Sequence, residues 1–212
     1  MSPKPKVFPM EIYANSRTQD GRTANEDAFL IGRGSVPYVA LCDGSGNAGQ
    51  VAKRGLKILD GLASPASAEE FQLFPTWANW IRLMDSALLG GAQSTFLAVA
   101  IMQDRVVGAC AGDSRLYYLP FDGEIQILTE EAGKSRLGSG EVSPFPIHHR
   151  IRQGDILLLM SDGAWTPLNL TKLRNIKIKA SASHFSDFPA LILDEAGRSG
   201  RADDMTVVAI RA

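Results

Sequence analysis

A layered α+β domain is the fold class that this 212-residue chain predicts. Three observations lead there. Apolar, strand-length segments recur along the whole chain, set off by Gly, Pro and Asp. Short turns join several of them in a way that suits antiparallel hairpins. Helical periodicity appears in only three places and does not alternate strictly with the strands.

Taken in order, the first half holds strand signals at 27–31, 36–42 and 94–102. Further strands are expected at 105–111, 116–119, 124–128, 147–152, 156–160 and 205–210. Gln103-Asp104 and Phe121-Asp122-Gly123 supply tight turns between neighbours. The first helix is expected over 48–62, where Val51, Leu56, Leu59 and Leu62 fall close to one stripe. The second covers 68–89, with a break or fresh start near Thr76 because Pro75 cannot continue a helix interior. The third, 187–196, precedes the last strand. The Gly/Ser/Pro-rich piece 135–146 reads as a surface loop. No repeat or linker divides the chain, so residues 1–212 are expected to form one domain.

Composition narrows the function classes. Hydrophobic residues make up 45% and charged residues 21%, as in a globular protein. Lys+Arg 22 against Asp+Glu 23 gives a net charge of -1, so no global field points to nucleic acid or an anionic membrane. Cys42 and Cys110 lie inside apolar runs and read as buried thiols of a reducing compartment. Prolines interrupt the N-terminal segment, which argues against a signal peptide. No apolar stretch reaches the ~18 residues of a membrane span. A cytoplasmic monomer is the expectation.

The chemistry is expected where acidic residues interrupt apolar strands. Asp43-Gly44 ends the run 38–42, and Asp162-Gly163 ends 156–161. Gly112-Asp113 follows 106–111. Glu26-Asp27 and Asp203-Asp204 stand at strand entries. Any one of these alone reads as a turn, and Asp113-Ser114-Arg115 as a hairpin with a local ion pair. Together they are costly unless they share an electropositive partner. Hard oxygen donors without histidine or cysteine suit Mg²⁺ or Mn²⁺.

These stretches resemble a known family, the type 2C metal-dependent protein serine/threonine phosphatases, and its bacterial members in particular. The likeness is carried by 22–27 (RTANED), 39–44 (VALCDG), 93–98 (QSTFLA), 110–115 (CAGDSR), 154–163 (GDILLLMSDG) and 203–208 (DDMTVV). The resemblance implies two packed antiparallel β-sheets flanked by helices, with two metal ions, Mn²⁺ or Mg²⁺, in a cleft at one end. It implies that Asp43 bridges the ions and that the carbonyl of Gly44 adds a ligand. Asp162 and Asp203 would hold the other ion, and Glu26 would reach the first through water. Asp27 and Asp204 would orient ligands from behind, and Asp113 with Asp162 would take a third, weaker ion. Arg22 would grip the substrate phosphate while a metal-activated water attacks phosphorus. The substrate would be a phosphoprotein, and the enzyme would oppose a Ser/Thr kinase in signal transduction.

Departures are visible too. Ser45 stands where some relatives carry a histidine proposed to protonate the leaving alcohol, so no general acid is assigned. The segment around 129–153 is short for the flap of typical bacterial members. A phosphatase-fold module that binds a partner or senses a ligand is therefore the alternative. Gly44-Ser-Gly-Asn-Ala-Gly49 also fits the dinucleotide pattern GxGxxG, but the parallel strand that should follow its helix is missing. Ser94, Ser114 and Ser161 read as structural, and His148 and His149 as solvent-facing. Trp77, Trp80 and Trp165 read as packing residues. Phe71, Leu73 and Phe74 are candidates for a docking surface.

Overall fold

The computed structural model describes residues 10–45, 49–180, 184–200 and 202–212. The N-terminal segment before Met10 and the middle of the 44–49 glycine motif lie outside the described residues. The strands are β1 (Glu11–Arg17), β2 (Asp27–Arg33), β3 (Pro37–Asp43), β4 (Phe96–Ile101), β5 (Arg105–Ala111), β6 (Arg115–Leu119), β7 (Gln126–Ile127), β8 (Phe145–Arg150), β9 (Ile156–Met160) and β10 (Met205–Arg211). The helices are α1 (Gly49–Ala63), α2 (Ala68–Gln72), α3 (Phe74–Leu88), α4 (Asp162–Trp165), α5 (Leu170–Ala180) and α6 (Phe188–Ala196).

Two five-stranded sheets form, ordered β1-β10-β9-β6-β7 and β2-β3-β4-β5-β8. Every neighbouring pair is antiparallel. They pack face to face through Val39, Leu41, Leu97, Val99, Leu157, Leu159, Val208 and Ile210. The outer face of one sheet, with Tyr38, Ala40 and Ala98, is covered by the helices that carry Leu59, Trp77 and Ile81. The outer face of the other, with Leu158, Met160 and Val207, is covered by Leu173, Phe188 and Ile192. The order of layers is α/β/β/α.

This layering explains why the central strands read as unbroken apolar runs. Antiparallel sheets with one wet face alternate in polarity. Here each central strand is buried on both faces, and all six residues of β4 are buried. Antiparallel β3–β4 pairing after α1 also disposes of the dinucleotide reading, which needs a parallel neighbour.

Several expectations shift. Pro75 sits in the first turn of α3, where its missing N–H costs nothing, so the break falls at Leu73 rather than near Thr76. Strand β1 and helix α5 go beyond the expected elements. β1 is an edge strand held by full pairing to β10, with only Ile12 and Ala14 reaching the core. α5 buries Leu173, Ile176 and Ala180, but its Ile-Lys-Ile-Lys run masks the helical period. Phe71 is fully buried among Tyr38, Trp77 and Trp80, which removes it from any docking surface, whereas Leu73 and Phe74 are exposed.

The 135–146 piece is only in part a surface loop. Leu137 is fully buried and exchanges backbone hydrogen bonds with Ser94. The buried carboxylate of Asp85 on α3 accepts from the N–H of Gly138 at 2.7 Å and of Gly140 at 3.2 Å. That anchor holds the short loop against the helix layer. Asp85→Ala orphans the buried Gly138 N–H and removes the bond from Gly140, and a loss of about 1–3 kcal/mol in denaturant titrations is the expected result. Hydrogen exchange should rise selectively at 137–140; unchanged protection there would show that the anchor is dispensable.

Candidate functional site

Antiparallel pairing places the end of one strand beside the start of the next. The consequence here is that five acidic stretches, distant in sequence, emerge at one end of the sandwich. Asp27 at the start of β2 stands directly opposite Asp43 at the end of β3. The end of β3 adjoins the approach to β4, with Thr95 N–H donating to the Asp43 carbonyl at 2.9 Å. The start of β4 pairs with the end of β5, next to Asp113. In the other sheet Met160 pairs with Val207 and with Arg115, which brings Asp162 beside Asp203-Asp204 and the start of β6.

Asp27 and Asp43 form the centre. Asp27 is buried and accepts from Ser161 Oγ of the opposite sheet at 2.7 Å. Burial pushes its carboxyl up to about 7 and the charges of Asp204 and Asp162 add to this, against the hydroxyls of Ser161 and Thr206. Asp43 is pushed up to about 9, first by burial, then by the charges of Asp27 and Asp162 and a carboxyl–carboxyl hydrogen bond to Asp162. The guanidinium of Arg136 acts in the opposite direction. Asp203 is raised as well, by desolvation and by Asp162 and Asp204, against its neighbour's N–H and the charge of Arg22. These are the signs of like charges crowded together with too little positive charge among them.

The flanking residues fix that cluster. Asp204 is buried and accepts from the N–H of Gln19 and of Glu26, both at 2.6 Å, so it ties the approach to β2 onto the start of β10. Glu26 turns its side chain to Arg22 at 2.9 Å. Arg22 and Glu26 line one surface hollow, with Gln50 and Lys53 across from them. Asp162 and Asp203 line another. Gly44 is buried and bridges Ser94. Ser45 donates through its N–H to the Gln93 carbonyl at 3.0 Å. Among the described residues, no three His, Cys, Asp or Glu side chains already stand arranged to hold a metal ion.

No protein-family model matches the chain, and no curated protein matches it. Solved structures do. A serine/threonine phosphatase of S. agalactiae superposes with a TM-score of 0.83 at 21% identity, over 96% of this chain and 100% of that one. Stp1, a serine/threonine phosphatase of Staphylococcus aureus, gives 0.86 at 22% identity, over 97% and 96%. The catalytic domain of the serine/threonine protein phosphatase PstP, in complex with two manganese ions, gives 0.77 at 23% identity, over 95% and 97%. The fold is that of the bacterial serine/threonine phosphatases. At these identities the likeness is one of fold, and it bears out the two antiparallel sheets flanked by helices.

Within this phosphatase fold, three residues outside the sequence-derived set shape the site. Arg136 pairs with Asp113 at 3.2 and 3.3 Å, so the 113–115 turn is not a hairpin with a local ion pair. It crosses instead from one sheet to the other. Trp165 donates from Nε1 to the Asp113 carbonyl at 3.0 Å, with Arg115 stacked 3.5 Å over its ring. It thereby staples α4, which begins at Asp162, to that turn. Gly163 is required for close approach rather than for turning. A Cβ there would lie 2.1 Å from the Asp204 carbonyl oxygen and 3.1 Å from Asp203 Cβ. Only a glycine lets Asp162 come beside Asp203. Ser94, Ser114 and Ser161 are buried and hydrogen-bonded, as expected of structural serines. His148 is exposed, but His149 is half-buried with its ring centroid 4.3 Å from that of Tyr118.

A pH dependence follows from the raised carboxyls. Their native-state proton affinity exceeds the ordinary value of 3.8. The stabilisation is therefore full below that value and lost as pH rises through about 7 and then about 9. In chelator, stability from denaturant titrations is expected to fall between pH 5 and pH 9. Asp43→Asn should remove much of that fall and raise stability at pH 8 by roughly 1–2 kcal/mol. A wild-type profile flat across this range would contradict the crowding.

Proposed function

We propose that this protein is a metal-dependent phosphatase that hydrolyses phosphoserine and phosphothreonine esters of proteins. The observation that carries the reading is the convergence of Asp27, Asp43 and Asp162 with Asp203 and Asp204 at one end of a sandwich shared with serine/threonine phosphatases. A soluble intracellular role opposing a kinase accords with this; no helix among the described residues is long and apolar enough to cross a membrane.

The donor set fits divalent cations. It is all oxygen, as Mg²⁺ and Mn²⁺ prefer, and its crowded charges are of the kind that a cation relieves. Asp43, Asp162, Asp203 and Glu26, with the Gly44 carbonyl, would hold two such ions. To do so, Asp162 must turn from Asp43, and Glu26 from Arg22. The ions would supply Lewis acidity and would make hydroxide available for phosphate-ester hydrolysis near neutral pH.

The chain's own residues do the rest. Arg22, released from Glu26, presents a planar fork that suits two phosphoryl oxygens and offsets their growing charge. Asp27, fixed by Ser161, and Asp204, fixed by two backbone amides, keep the ligand-bearing segments in register. Asp113 would take a third, weaker ion only in competition with Arg136. Loss of ligands would mark a non-catalytic module, and here every expected ligand position keeps its oxygen donor.

Hydrolysis of p-nitrophenyl phosphate and of a phosphothreonine peptide should require Mn²⁺ or Mg²⁺ and stop in EDTA. Asp43→Asn should lower turnover more than ~100-fold, and Arg22→Ala should lower kcat/KM by about 10- to 100-fold. No turnover in folded, Mn²⁺-saturated protein would refute the reading.

Gly163→Ala offers a separate test through binding. The extra methyl pushes α4 from the 203–204 segment, so Mn²⁺ affinity in titration calorimetry should weaken by roughly 10- to 100-fold while the protein remains folded. Unchanged affinity would remove Asp162 or Asp203 from the ligand set.

A further inference from the structure

A groove leads away from the phosphate end of the site. The hollow that holds Arg22 is bounded across from it by Gln50 and Lys53 of α1. Lys53 also lines a second, shallow groove with Lys57 and Asp60 of the same helix and with Phe29 and Leu30 of β2. Residues 50, 53, 57 and 60 recur at three- and four-residue spacing, so they share one side of α1. From 50 to 60 the helix rises about 15 Å, the length of four or five residues of extended chain.

Two features of this groove point to one kind of occupant. The first is an open strand edge. β2 is the outer strand of its sheet, and no described strand pairs with its outer side. Ala28 and Leu30 turn toward α1, while Phe29 and Ile31, on the opposite face of the same edge, are 41% and 39% exposed. An unpaired edge with apolar side chains is a template for an added strand. The second is uncompensated positive charge. Lys53 and Lys57 are exposed, and neither forms an ion pair among the described residues. The groove's acidic residue, Asp60, is engaged by the Tyr38 hydroxyl at 2.5 Å and by Ser64 at 3.2 Å. Arg33 at the far end of β2 and Arg54 on α1 are exposed as well.

We propose that this groove docks the chain flanking the phosphorylated residue of the protein substrate, extended along the free edge of β2 with acidic side chains toward Lys53 and Lys57. The proposal rests on the phosphatase reading for the origin of the ligand. It names the substrate class: phosphoserine or phosphothreonine with Asp or Glu within about five residues on one side. Continuity with the Arg22 hollow places the phosphate at one end of the track. Lysines on the helix then select charge, and the strand edge selects extended backbone.

The test compares phosphothreonine peptides flanked by Glu with matched peptides flanked by Gln, on wild type and on Lys57→Glu. Lys57 lies beyond the Arg22 hollow, so hydrolysis of p-nitrophenyl phosphate is expected to be unchanged in the variant. For the Glu-flanked peptide, KM should rise roughly fivefold at low salt with kcat unaltered, and the difference should vanish near 1 M salt. Backbone N-methylation of the flanking residues should weaken the same peptide. Fluorescence anisotropy with these peptides in chelator reads docking without turnover. Charge-dependent binding without hydrolysis would keep the groove and overturn the enzyme. Hydrolysis with equal KM for Glu- and Gln-flanked peptides would overturn the groove alone.

Discussion

The buried Asp27 and the half-buried Asp43 face each other across an antiparallel pair, with Asp162 reaching in from the short helix that follows β9 of the second sheet. Carboxylates in that position repel, and burial strips away the water that would screen them. Much of the surrounding structure is arranged to hold them there. Ser161 and Thr206 offer hydroxyls to Asp27, Asp204 takes two backbone amides, and Arg136 lends positive charge from beyond Asp113. The scaffold opposes this local instability with three apolar layers, two under helices and one between the sheets. Clustered carboxyls with perturbed proton affinity are a mark of functional sites, where stability is given up locally.

The two sheets contribute differently to the site. One supplies Asp27 and Asp43 as direct cross-strand partners, a rigid pair set by register. The other supplies Asp162 from a four-residue helix and Asp203-Asp204 from the approach to β10. Those two pieces meet only because Gly163 lacks a side chain where the Asp204 carbonyl passes. Trp165 then fixes the same short helix to the 113–115 turn. Register therefore fixes one side of the cleft end, and close packing at Gly163 and Trp165 fixes the other.

Much of the fold was legible in the chain itself, for a reason particular to this architecture. Strands such as 105–111 and 156–160 are buried on both faces, so their apolar runs are unbroken and their ends sharp. Elements at the margin were less visible. β1 contributes few core residues and is held by its partner, while α5 hides its buried stripe behind alternating lysines. Phe71 and its neighbours Leu73 and Phe74 look alike in sequence; packing against Tyr38 and two tryptophans makes the first core and leaves the others outside.

The candidate site divides the same way. The acidic positions Glu26, Asp27, Asp43, Asp113, Asp162, Asp203 and Asp204 stand out by sequence alone, because a carboxylate at the end of an apolar strand is a local anomaly. Which of them meet is a matter of register between strands far apart in the chain, and no local pattern encodes it. Only the tertiary structure brings Arg136 to Asp113, turns Glu26 to Arg22 and sets the steric need for glycine at 163. Sequence determined the kinds of atoms available and the strand ends that carry them. Packing decided their distances, and with them which charges are crowded, which are paired and which face an open groove.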